Sequence, residues 1–399
     1  MNRKVLMVLN QDFPDVRVCQ EVKELEKEGF DVYILVDRLK ENIAITNYSI
    51  IDFNLIECDV FLTKYERFKF KYSFKNDRLY NDVIEQLAKL DILDRIDIVH
   101  CHDLLWSKFS YQLCNRLRSK LILDFHENYP SLIDLHHQSK SFLKMIVSKI
   151  VDNSSRYYNY EKKMSKLADK IIVVASENGQ RLVDKGIASD KIYLVSNTKN
   201  PYLYTILESR QSNKINLLYH GSIQKLRGLR TLIRAFSLLD QNEYSLTIVG
   251  FKEGCSEKKY IENFVKSNDL SSVKLIDWMS DKHRMLTILA EADICIIPHE
   301  TSELTQTTIP NKIFEYMCHG KPIIVSDVKP LSSIVENSNS GRIFIAGNHI
   351  NLAEVIRSFK QEEIISMGIQ GRKSAEELYN WNNDAMRLIS CYKSIRETS

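Results

Sequence analysis

Asp293–Gly341 reads DICIIPHETSELTQTTIPNKIFEYMCHGKPIIVSDVKPLSSIVENSNSG, and its order of apolar runs and polar turns decides the fold. An apolar run stops at Pro298, a Thr-rich loop follows, then a helix, then a second apolar run at Ile323–Val325. Thr308 is the candidate N-cap, Pro310 suits the first helical position, and Gly320 suits the position just past the end. The stretch therefore reads as strand, loop, helix, strand. At about 100° per residue the helix puts Ile313, Phe314 and Met317 on one arc, with Asn311, Lys312, Glu315 and His319 on the opposite one. The first arc packs, and the second is free to meet a ligand.

Amide groups at a helix start have no partner inside the helix and sit at the positive end of its dipole, so they suit a phosphate. Lys312 adds a cation in the first turn, and Glu315, one turn on, offers two acceptor oxygens to the vicinal hydroxyls of a ribose. A capped surface helix with a solvated Lys–Glu pair would use the same residues. The rest of the chain has to separate the two readings.

Working outward, Asn216–Phe236 reads NLLYHGSIQKLRGLRTLIRAF. Gly221 and Gly228 bracket a loop carrying Lys225 and Arg227, and the helix that follows turns Leu229, Leu232, Ile233 and Phe236 inward. A glycine turn, a cation and a helix start together make an anion cradle.

The same alternation runs through the chain. Apolar runs occur at Val5–Leu9, Val32–Val36, Ile98–Val99, Leu121–Leu123, Ile171–Val174 and Ile192–Val195, then at Leu217–Tyr219, Leu246–Val249, Val273–Ile276, Ile294–Ile297, Ile323–Val325 and Ile343–Ile345, with helical patterns between them. Continuous rather than alternating runs mean parallel sheets covered on both faces, an α/β fold. Twelve strands exceed an ordinary open sheet, so two domains are expected, 1–200 and 201–375, with the break near Asn200–Lys214 and a terminal helical segment at 376–399.

The turn after the first strand, NQDFPDVRV, has no glycine, so a dinucleotide fingerprint is absent and a nicotinamide or flavin cofactor is disfavoured. The helix beyond it carries Val18, Val22 and Leu25 on one face and stops at Gly29. Strands ending in VHCHD and LILDFHENYP bring His102, Asp103, His126 and Glu127 to carboxyl ends, where open α/β sheets build their crevice. No third ligand at metal-binding spacing accompanies them, so no metal site is expected.

Composition limits the alternatives. In 399 residues, 44% apolar and 27% charged, a net charge of +3 is too small to imply nucleic acid. The cysteines at 19, 58, 101, 114, 255, 295, 318 and 391 form no C-x-x-C pair, which suits reduced core thiols in a reducing compartment. The start, MNRKVLMVLNQDFPD, has too short an apolar run for a signal peptide, and no stretch approaches a bilayer span, so a cytoplasmic protein is expected. Lys64–Arg78 (KYERFKFKYSFKNDR) and Lys140–Lys166 interleave cations with aromatics, a pattern that suits peripheral contact with anionic lipid.

The run PNKIFEYMCHGKPIIVSD resembles the donor-binding signature of the retaining glycosyltransferases of family four. The resemblance extends to Asp15 and Arg17 in a D-x-R-V entry, to the "aHD" and "DxHE" positions at His102, Asp103, His126 and Glu127, and to the glycine loop, where Arg227 matches the family's lysine. It implies the GT-B fold, two facing Rossmann-like domains with an interdomain cleft, and a terminal helix returning to the first domain. Glu315 then binds the ribose, and His126 lies near the transferred sugar. Arg227 and Lys312 neutralise the pyrophosphate, with Lys312 standing in for the charge lost where Ser222 replaces the family's arginine. Gly221, Lys225, Gly228, Gly250, Met279, Thr308 and Asn311 complete the donor side. Thr307, Ile309 and Pro310 stand where the family has Glu, Phe and Gly. Asp15, Arg17, His102, Asp103 and Glu127 fall on the acceptor and sugar side. The implied activity is metal-independent transfer of a hexose-type sugar from a nucleoside diphosphate to a hydroxyl of a glycan or lipid-linked acceptor, with retention, in surface-polysaccharide or lipopolysaccharide assembly. The alternatives are a GT-B epimerase or inverting transferase, and a non-catalytic nucleotide-sugar binder, which the changes at Ser222 and Thr307 favour.

Overall fold

The computed structural model describes residues 3–9, 15–36, 54–57, 77–89, 96–138, 153–207, 213–252 and 254–395. Most of Lys64–Arg78 and residues 140–152, singled out above for membrane contact, lie outside them. Two compact units form: Met1–Ser196 with Asp384–Ser399, and Asn197–Asn383.

The first unit holds strands β1 (Arg3–Leu9), β2 (Phe30–Val36), β3 (Asn54–Glu57), β4 (Ile96–His102), β5 (Lys120–Phe125), β6 (Lys170–Val173) and β7 (Ile192–Leu194). They form a parallel sheet in the order β3-β2-β1-β4-β5-β6-β7. All but β3 coincide with the apolar runs read from sequence. The last five residues of β1 are fully buried, as both-face cover requires. The helix Val16–Lys27 buries Val18, Val22 and Leu25 and ends at Gly29, whose φ of +80° glycine adopts without strain.

The second unit holds β8 (Ile215–His220), β9 (Tyr244–Phe251), β10 (Val273–Asp277), β11 (Ile294–Ile297), β12 (Ile323–Ser326) and β13 (Gly341–Phe344), parallel in the order β10-β9-β8-β11-β12-β13. Its apolar cores lie on both faces of the sheet, one gathering Leu232, Phe236 and Ile248, the other Ile297, Phe314 and Met317. Strand order reverses between β1 and β4 in one sheet and between β8 and β11 in the other. Such switch points open a crevice beyond the carboxyl ends of the strands. Seven cysteines are described, all unpaired. Among the described residues no helix is long and apolar enough to cross a membrane.

Candidate functional site

At the switch point of the second sheet, β8 ends at His220 and the chain turns at Gly221, φ +128°. Gly250, at the end of β9, presses against it: a Cβ there would lie 2.0 Å from the Gly221 carbonyl oxygen. Gly228, φ +70°, packs as closely on β11, its Cβ position 1.5 Å from the Pro298 carbonyl oxygen. These glycines let the loop settle onto the strand ends, where any side chain would hold it away.

The loop presents Arg227, in a single 3₁₀ turn at Lys225–Arg227. Its Nη1 lies 3.2 Å from Nε2 of His299, the residue after Pro298. A guanidinium can only donate, so Nε2 of His299 carries the lone pair. Burial, and then the charges of Arg227 and Lys312, hold His299 neutral, well below the usual histidine range.

Lys312 reaches the same loop from the helix Lys312–Cys318. Its ammonium donates to the carbonyl of His220 and sits 3.9 Å from the centre of the Tyr219 ring. Burial and then Arg227 push its pKa well below the usual lysine value. Among the described residues, neither Arg227 nor Lys312 is ion-paired with a carboxylate. Two basic side chains thus converge on a glycine turn at the switch point, and an anion with more than one charge would hold both in their charged form.

One turn along the same helix, Glu315 brings Oε2 to 3.6 Å from Nε2 of His220. Burial, with Lys312 and His319, depresses His220 to about 3, so that contact is not an ion pair at neutral pH. Burial raises Glu315 against the opposing charges of Lys199 and Lys312. Glu300, beyond His299, accepts a hydrogen bond from Thr231 Oγ1 at 2.8 Å.

The other expected donor residues divide. Ser222 and Lys225 are exposed on the loop. Thr308 is not the N-cap: its hydroxyl donates to the Leu304 carbonyl at 2.9 Å, and the helix begins at Lys312 with Asn311 before it and no side-chain cap. The Thr307 hydroxyl is occupied by the carbonyls of Glu303, 2.7 Å, and Leu304, 3.2 Å. Ile309 and Met279 pack against the apolar core. His319 is not on a free face; it is 2% exposed, with Nδ1 2.8 Å from the Thr205 carbonyl oxygen. Because the helix is only seven residues long, its dipole is weak, and the loop with its two basic side chains offers the stronger hold on an anion.

In the first unit, the ends of β4 and β5 carry the other predicted residues. Asp15 caps the first helix, its Oδ1 accepting from the backbone of Arg17 at 2.9 Å and of Val18 at 3.1 Å. Arg17, expected on the sugar side, is 7% exposed and committed inward: Nη2 to Asp124 Oδ2 at 2.9 Å, Nε to Glu21 Oε1 at 2.8 Å and Nη1 to the Val195 carbonyl at 2.9 Å. His102 is fully buried and cannot reach a substrate. Asp103, at φ +64°, is half-buried, and Glu127 is exposed. His126 lies between the two settings, its side chain 15% exposed.

Glu21, His100, His102 and Asp124 bring potential ligand atoms within 4.8 Å of one another. The Arg17 guanidinium already stands among their carboxylates and supplies the charge that a cation would bring. A cavity of about 1310 Å³ opens at the amino edge of the second sheet, against Ile215, Tyr244, Asp293 and Pro322, away from the switch point. His299, His220 and Tyr219 join the site without having been expected there, although His299 follows a strand end just as His102 and His126 do.

Residues 15–200 match the family described as Glycosyltransferase Family 4, and residues 214–361 match that described as Glycosyl transferases group 1. Over 207 residues, half the length of each chain, the protein is 22% identical to the amylovoran biosynthesis glycosyltransferase AmsK of Erwinia amylovora. The curated relatives are matched over half to four fifths of their own length. Among solved structures, sucrose-phosphate synthase from Thermosynechococcus elongatus superposes with a TM-score of 0.75 at 16% identity, covering 100% of both chains. Anabaena HepE in complex with UDP gives 0.72 at 11% identity, covering 98% of this chain and 100% of that one. These likenesses give the two doubly wound units the GT-B fold.

Proposed function

The chain belongs to the family-four glycosyltransferases, and from that premise we propose that it moves a hexose-type sugar from a nucleoside diphosphate to a hydroxyl of a glycan or lipid-linked acceptor, with retention at the anomeric carbon. The observation that carries this reading is the convergence of Arg227 and Lys312, neither paired with a carboxylate among the described residues, on the Gly221–Gly228 loop. A sugar diphosphate brings the charge those groups lack. In the reaction the bond from the anomeric carbon to the diphosphate oxygen breaks, and negative charge grows on that oxygen. In this scheme Arg227, held by His299, and Lys312, held by the His220 carbonyl, stabilise it, which is the electrostatic work that dominates many such rate enhancements. The acceptor hydroxyl forms the new bond and gives its proton to the departing phosphate on the same face. Glu315 holds the ribose hydroxyls. Since the two side chains supply the positive charge, no metal enters the scheme, and EDTA should leave turnover unchanged.

A non-catalytic nucleotide-sugar binder is the second reading, favoured by Ser222 on the loop and by the Thr307 hydroxyl being occupied by main-chain carbonyls. Thermal unfolding across UDP-, GDP- and dTDP-sugars separates binding from none, because a ligand at 100 times its Kd adds about 2.7 kcal/mol. Product analysis by NMR then reads the anomer. Stabilisation without transfer or hydrolysis over an acceptor panel would establish the binder, and inversion would remove the retaining scheme.

A further inference from the structure

The first unit buries a set of ionisable side chains that the donor site does not use. Asp124 is fully buried on β5, and its Oδ2 is ringed by nitrogens: Arg17 Nη2 at 2.9 Å, His126 Nε2 at 3.3 Å, His102 Nδ1 at 3.6 Å and His100 Nε2 at 3.7 Å. His102 Nδ1 is also 3.2 Å from His126 Nε2, so one of those two nitrogens must donate. A lone pair on Nε2 of His126 would face the Asp124 carboxylate, so Nε2 carries the proton. His102, kept neutral by burial and by His100, then accepts at Nδ1 and points its Nε2–H at Glu21 Oε2, 3.8 Å away.

Behind this pair, His100 stacks on His102 with ring centres 4.4 Å apart, and its Nδ1 lies 2.7 Å from the Tyr392 hydroxyl of the last helix. Asp103 faces His126 from the end of β4, and Arg17 and Glu21 face it from the first helix, with Asp384 beyond Arg17. Burial opposes a charge on His126, but Asp124 and then Asp103 outweigh it and lift the imidazole to about 9.

We propose that Asp124 is a positioning residue: with Arg17 and His102 it locks His126 with Nε2 turned inward and holds the ring as an imidazolium, leaving Nδ1–H as a fixed, charged donor for an oxygen of the bound sugar. This rests on the reading of the chain as a sugar transferase only for the identity of that oxygen. The protonation and orientation of His126 stand on the first unit alone. A neutral imidazole in that place would need to choose a tautomer, whereas the imidazolium donates at both nitrogens at once.

The test is a histidine NMR titration of the full-length protein labelled with ¹⁵N in its imidazoles, His126→Gln supplying the assignment. The expected result is a His126 ring that stays doubly protonated through neutrality and titrates near 9, with Asp124→Asn bringing the midpoint down by about two units or more, toward the ordinary value of about 6.5. A wild-type midpoint near 6.5 would overturn the proposal, and that measurement decides even if Asp124→Asn does not fold. About one equivalent of zinc retained through purification and released by chelator would also overturn it, since a metal among Glu21, His100, His102 and Asp124 would displace Arg17 from its place. Where transfer is detected, kcat should fall on the alkaline side with the same midpoint as the NMR titration, and Asp124→Asn should shift that limb to lower pH, which a merely structural role would not do. If no transfer is found but His126 titrates near 9, the sugar reading fails and the positioning claim survives.

Discussion

Lys312 shows how one side chain can be tuned for a ligand. Its ammonium keeps a carbonyl and the face of Tyr219 as partners, while burial and then the nearby Arg227 charge oppose its protonation. A bound diphosphate would pair with the ammonium and neutralise the Arg227 charge, outweighing burial, so binding should raise the Lys312 pKa and draw in a proton. Affinity should therefore fall as pH climbs through the depressed value in the free protein. Calorimetry in two buffers of different ionisation enthalpy should register net proton uptake on the alkaline side, and Lys312→Met should abolish that uptake. In direct titrations Lys312→Ala should weaken the donor by about 1.5–3 kcal/mol, the range for hydrogen bonds to charged groups. Unchanged affinity would mean that Lys312 does not replace the charge missing at Ser222.

At the scale of elements, the glycine loop is fitted to its neighbours by contact distance. Gly228→Ala would put a methyl group against the Pro298 carbonyl oxygen and strain a φ of +70°, so the loop must lift from β11. A loss of about 1–3 kcal/mol, the usual cost of overpacking, is expected in chemical denaturation, with a larger proportional loss of donor affinity because Arg227 sits on the same loop. The strands themselves were legible in the sequence, because a parallel strand covered on both faces must be apolar throughout. β3 was not, since Asn54–Glu57 offers only two apolar residues. Thr308 misled because its hydroxyl serves the preceding 3₁₀ turn at Thr305–Thr307, and the helix starts four residues later. Lys312, Glu315 and Arg227 could be singled out because glycine turns and strand ends are local signals. The inward commitment of Arg17 could not, because Asp124 stands 107 residues away and only the fold brings them together.

The whole molecule returns its last residues to its first unit. Asp384–Ser399 belongs with Met1–Ser196, and Leu388, Cys391, Tyr392 and Ile395 are all buried there. Burying a large apolar side chain contributes about 1.5–3 kcal/mol, so three or four of them rival the roughly 5–15 kcal/mol that holds a typical domain together. The Tyr392 hydroxyl also supplies the hydrogen bond to His100 behind His126. By contrast, the ion pair of Lys393 with Glu28 at 2.7 Å is exposed on both sides, and such pairs contribute little. A chain ending at Asn383 should therefore lose the first unit while the contiguous second unit, Asn197–Asn383, keeps its fold. Limited proteolysis should degrade 1–196 and leave a resistant fragment of the second unit that still binds the donor nucleotide, whereas Lys393→Ala should shift the melting temperature by no more than about a degree or two. A truncated chain that melted like the full-length protein would show that the returning helix adds nothing to the first core.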